Sequence, residues 1–111
     1  MMNQLLKKWT LCLLIFFSIC AHAQNTNIDK GRFMGGCYAM AVMVIKFDTE
    51  ASPNTIAKVK KWAMNVSSAA HTFINDAEFD SIVTSEMQKI SVTNGYLKSQ
   101  VKNCTSVLGS W

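Results

Sequence analysis

Two cysteines, Cys37 and Cys104, stand 67 residues apart in the part of this chain that follows an export-type leader. A bond between them forbids most ways of folding what lies between. Four cysteines are present in all, and the leader decides how many remain. Residues 1–8 carry Lys7 and Lys8 and no acid, residues 9–20 (WTLCLLIFFSIC) hold ten apolar side chains in twelve, and Ala21-His22-Ala23 precedes Gln24. Charged start, short apolar stretch and small-residue site are the three parts of a cleaved secretory signal. The apolar stretch spans only about 20 Å as a helix, short of the roughly 30 Å of a bilayer core, so no membrane anchor is expected. Cys20 follows Ile19 and Cys12 follows Leu11, without the small residue a lipid-modification site places before its cysteine. Residues 1–23 therefore read as a cleaved signal of bacterial style, and residues 24–111 as one small domain in the periplasm or the medium. Cys12 and Cys20 leave with the signal. The remaining pair, in an oxidising compartment, reads as one disulfide. On the chain-entropy model a loop of this length is worth roughly 4 kcal/mol.

The 88 residues that remain carry nine basic and seven acidic side chains, so the mature protein is far less basic than the whole-chain pI of 9.0 suggests. From Asp29, a plausible N-cap, to about Phe47 the pattern is helical and apolar nearly all round, with Arg32, Ala39 and Lys46 the only stripe fit for water. A strand through residues 42–45 is the competing reading. Ser52-Pro53 opens a second helix, with Ser as cap and Pro at the first helical position. Ile56, Val59, Ala63, Val66, Ala70, Phe73 and Ala77 then recur at spacings of three and four, the seam of a bundle. Asn75-Asp76 ends that helix and caps a third, whose apolar arc is Phe79, Ile82, Val83, Met87 and Ile90. Val92 lies opposite that arc, which places the helix end before it. Thr93-Asn94-Gly95 reads as a turn. Tyr96, Leu97, Val101, Cys104, Val107 and Leu108 form a fourth apolar face.

The cysteines choose between topologies. A single helix over residues 77–109 would run about 50 Å and carry Cys104 far past the end of the first helix. A reversal at Asn94-Gly95 instead places Cys104 about 13 Å from that end of the bundle, and Cys37 lies about 16 Å from the same end. The depths agree. The expected fold is all-α, a small up-down-up-down four-helix bundle stapled by one disulfide, Cys37–Cys104.

Little in the chain points to chemistry. His71 is the one histidine outside the leader, and its phase on the second helix puts it outside the bundle. A haem reading would pair it with Met34, but no C-x-x-C-H attachment motif exists. A copper reading would use the thioethers of Met34, Met40, Met43, Met64 and Met87, with Met40 and Met43 three apart on one helix, although methionines at helical spacing ordinarily fill cores. No G-x-S-x-G, H-E-x-x-H, P-loop or G-x-G-x-x-G occurs, and Asp76, Glu78 and Asp80 are the acids a helix start collects. Lys58, Lys60 and Lys61 beside Trp62 make a solvated helix face; with so small a net charge no nucleic-acid partner is expected. Gly35-Gly36 inside an apolar run reads as close helix packing.

What remains is a surplus of apolar and amphipathic aromatic surface. The first helix offers more than three neighbours need, and Tyr38, Trp62, Tyr96 and Trp111 are of the kind favoured at interfaces. The segment FMGGCYAMAV (residues 33–42) is similar to the start of small exported immunity proteins that carry a cysteine in their first helix, a likeness of some ten residues that assigns no family. The expectation is a non-catalytic protein without a cofactor. It would act by binding another envelope or secreted protein, or itself, as an inhibitor, immunity-type protein, adaptor or envelope chaperone. A haem- or copper-binding bundle is the alternative.

Overall fold

Ser52 and Pro53 begin the helix that the sequence marks most strongly. In the computed structural model, which describes residues 26–111, Ser52 is extended (φ −66°, ψ 155°) and its Oγ accepts from the Thr55 amide at 3.1 Å. Proline at the next position donates nothing that the helix would miss. The described chain forms four helices: α1 over residues 26–47, α2 Pro53–Ala70, α3 Asp76–Val92 and α4 Tyr96–Leu108. No strand occurs among the described residues, and residues 42–45 are helical. None of these helices is long and apolar enough to cross a membrane. The leader expected at residues 1–23 lies outside the described part.

The bundle runs up-down-up-down, and Cys37 of α1 is bonded to Cys104 of α4 with Cα atoms 5.7 Å apart. α1 is the central element. Its disulfide ties it to α4, Met34 shares a groove with Trp62, Val66 and Ala69 of α2, and Gly35 lies against Ile82 of α3. This arrangement answers the apolar character of α1 on nearly every side. Met40 and Met43 are fully buried with the cystine sulfurs, Val59, Trp62 and Ile90 in the main core. Burial of each such side chain contributes about 1.5–3 kcal/mol. A second cluster, Ala70, Ile74 and Phe79, closes the end of the bundle at the α2–α3 turn.

Four local expectations are corrected. Asp29 does not cap α1, which is already helical at residue 26; Ile28 packs on the second cluster, and that burial carries the helix past the cap signal. Ala39, expected to face water, is 0% exposed. It belongs to a row of small residues spaced by four, Gly31, Gly35 and Ala39, along which other elements approach α1 closely. α2 stops at Ala70 and does not run on through Phe73 and Ala77. The chain tightens there into a turn, with the Thr72 amide on Ala69 O and the Phe73 amide on Ala70 O, and swings Ile74 against Gly31. Asn75 still caps α3, its Oδ1 accepting from the Glu78 amide at 2.8 Å. α3 continues through Val92, which is 76% exposed, because backbone hydrogen bonding sustains a last turn whichever way its side chains point. Thr93 is extended and ends it.

Gly95 (φ 77°) makes the left-handed step between α3 and α4. α4 has 13 residues, about 20 Å, so it ends well short of the α2–α3 turn. After it, Gly109 at φ 89° and ψ 157° redirects the chain, a conformation that side chains rarely adopt. Residues 109–111 return to the helices.

Candidate functional site

The four aromatic side chains expected to serve an interface sit in unlike surroundings. Tyr38 is half-buried, its ring 5.3 Å from that of Phe79 and tilted by 50°. Trp62 is a core residue, and its indole Nε1 donates to Gly109 O at 2.8 Å. Trp62 is 9% exposed. The seam positions Val59, Ala63 and Val66 turn the adjacent phase of α2 inward, and a bulky ring there fills the space beside the shorter α4. The Tyr96 hydroxyl donates to Glu86, and Gln100 Nε2 donates to both, reaching Glu86 Oε1 at 2.9 Å. Lys89 Nζ lies 4.8 Å from the Tyr96 ring centroid, a cation–π contact. Trp111 stands edge-on to Trp62, centroids 5.5 Å apart and planes at 80°.

Trp111 also lines an open groove. Val44, Phe47 and Asp48 from the end of α1 face Leu97, Lys98 and Val101 from the start of α4, with Trp111 between, around a volume of about 320 Å³. Phe47 is 56% exposed, at the last residue of α1 where no neighbouring helix covers it. It was expected within the buried wrap. The clue in the sequence is its position beside Lys46 and Asp48 at a helix end. Two further large apolar side chains on the outer surface, Met64 and Val107, are similarly open, and the exposure of Val107 corrects its place on the inward face of α4. Lys46 Nζ lies 5.6 Å from the Phe47 ring centroid. Lys102 follows Lys98 by one turn on the same side of α4. Asp48 is turned into its own loop, where Oδ1 accepts from the Glu50 amide at 3.3 Å.

The residues of the haem and copper readings lie in three surroundings, with Met34, Met40, Met43 and Met87 in or against the main core, Met64 exposed on α2, and His71 at the α2–α3 turn. Met40 and Met43 are packed in the main core. Met34 packs on both clusters and lines the groove with Trp62. His71 follows α2, with Nδ1 2.7 Å from Ser67 O, Nε2 3.1 Å from Asp76 Oδ1, and its ring 4.4 Å from Phe79. The imidazole thus joins the end of α2 to the start of α3. Among the described residues no three His, Cys, Asp or Glu side chains gather closely enough to hold a metal ion.

A second cleft, about 340 Å³, lies over the disulfide between α1, α3 and α4. Its polar edge is made of contacts within the protein. Arg32 Nε donates to Glu78 Oε1 at 2.9 Å, and Glu86 is held by Tyr96 and Gln100 beneath Gly36. Its residues therefore hold helices together. The groove at Phe47 combines the open Phe47 ring with a concave apolar lining and with Lys46 and Lys98, and it is the candidate site. No family model, no curated protein and no solved structure matches this chain.

Proposed function

We propose that this chain is an exported, non-catalytic helical protein that acts by binding another protein of the cell envelope or medium, in the manner of an inhibitor, immunity-type protein, adaptor or chaperone. The observation that carries this reading is Phe47. Half of its surface remains in water at the mouth of a groove lined with Val44, Leu97, Val101 and Trp111, whereas the other Phe, Tyr and Trp rings among the described residues are buried or half-buried. Open aromatic anchors beside a preformed apolar groove are what protein partners bury. Export is supported separately, by the leader-like residues 1–23 and by a cystine whose two halves are 1% exposed. Such bonds persist where no cytosolic reductant acts.

The test uses the whole chain, produced in a secreting bacterium with a photo-crosslinking residue at position 47 or, as control, at Thr84 on the exposed side of α3. The expected result is an exported form beginning at Gln24, and a discrete adduct with one envelope or secreted protein from position 47 alone. A leader retained on a cell-bound chain overturns the export reading. A stoichiometric haem or metal in the purified protein, lost in His71→Ala, overturns the binding-only reading in favour of a cofactor carrier.

A further inference from the structure

Resting on that reading, we infer that the groove between the end of α1 and the start of α4 takes a protein segment with an apolar anchor side chain flanked by carboxylates. The groove supplies both halves of that recognition. Its floor is Val44, Leu97, Val101 and Trp111, and Phe47 forms an open wall. Its rim is cationic: Lys98 lines it, Lys46 lies over the outer wall, and Lys102 extends the row along α4. The charge of the surrounding helices runs the same way. Residues 87–111 contain Lys89, Lys98 and Lys102 and no acid, whereas four of the seven acids outside the leader are gathered at positions 76–86 of α3. Asp48 lines the groove and accepts from the Glu50 amide, and with Glu50 it offsets two of the three lysines, so the rim keeps a net positive charge of one. A basic partner would meet this excess of ammonium groups. An acidic one is drawn in and oriented by them, while burial of its anchor supplies the affinity.

Contacts on two sides place Trp111 for this task. Gly109 turns the chain back, Trp62 holds the turn through Gly109 O, and the Trp62 ring supports Trp111 edge-on. The floor of the groove is therefore built before a partner arrives, which limits the ordering cost of binding.

The purified, disulfide-bonded protein is panned against a random twelve-residue peptide library. Enriched peptides are expected to share one bulky apolar residue with Asp or Glu on its flanks. An enriched peptide should lose at least tenfold in affinity for Phe47→Ser and for Lys98→Glu, and should bind more weakly as salt rises. Both positions are exposed, and unchanged far-ultraviolet circular dichroism shows that the variants fold. Neutral or basic consensus sequences overturn the inference, as does the absence of any enrichment. Binders indifferent to both substitutions place recognition on another face: the inference falls and the protein-binding reading stands. Tighter binding to phosphatidylglycerol vesicles, or a concentration-dependent dimer abolished by Phe47→Ser, replaces the acidic segment with a membrane or a second copy.

Discussion

The half of the bundle that contains α4 and the end formed by the α2–α3 turn solve the same problem by different means. Around α4 the closure is covalent and bulky. Cys37 is bonded to Cys104, Met40 and Met43 fill the space beside the sulfurs, and Trp62 reaches across to Gly109. At the turn, beyond the reach of α4, closure depends on absent atoms. A Cβ on Gly31 would lie 2.7 Å from Ile74 Cγ2 and 2.9 Å from Phe73 Cβ, so the turn sits against bare backbone. The polar contacts there, Arg32 with Glu78 and His71 with Asp76, lie at the surface. One half is held by connectivity and volume, the other by shape, and they should fail to different perturbations.

Removing the bond breaks the first half most deeply. The double variant Cys37→Ser/Cys104→Ser is expected to lose roughly 4 kcal/mol in urea unfolding followed by circular dichroism. A loss below about 1 kcal/mol would mean that packing alone closes the α4 half. Trp62→Ala should follow at about 3 kcal/mol, since it removes a core ring, empties the space beneath Trp111 and frees the residue 109 carbonyl. Its signature is a lower unfolding midpoint with the disulfide intact.

The turn end is tested with glycines on one helix. Gly31→Ala is expected to cost about 1–2 kcal/mol, because the branch of Ile74 and the Phe73 Cβ must both shift and this outweighs the gain in helix propensity. Gly36→Ala should instead stabilise by up to about 1 kcal/mol, since its new methyl would meet the Glu86 side chain at an ordinary 3.7 Å. If the two substitutions gave the same sign, close approach at Gly31 would not be what shapes that end. The smallest effect belongs to Arg32→Ala. The pair with Glu78 is 58% and 32% exposed, so about 0.5 kcal/mol is expected, vanishing in high salt.

Much of this division was legible in the chain. Ser52-Pro53, Asn75 and Gly95 mark helix boundaries through local chemistry that acts within three residues, and all three act in the structure. The depths of Cys37 and Cys104 constrained topology because helical rise converts residue counts into distance. What escaped was tertiary. Ala39 and Phe47 exchange roles, the small residue buried and the ring open, because helix phase says which residues share a face and not which face a partner covers. Gly31 carried no signal of its own, since the segment that needs its bareness lies more than forty residues away. The groove was half visible. Trp111 is among the candidate interface residues, but helix phase sets Phe47 within the apolar wrap of α1, and Trp62, a candidate of the same kind, lies in the core and supports Trp111 from beneath.

The central position of α1 has a consequence for how the molecule comes into being. Ribosomes make the helix that every other element touches first, and its covalent partner 67 residues later. At bacterial or eukaryotic elongation speeds that interval is roughly 3–13 s. Through all of it the methionine-rich flank of the nascent helix has no complete set of neighbours. Until the final helix emerges that flank can be covered only by the unfinished chain or by another molecule, and truncation anywhere before residue 104 removes the staple.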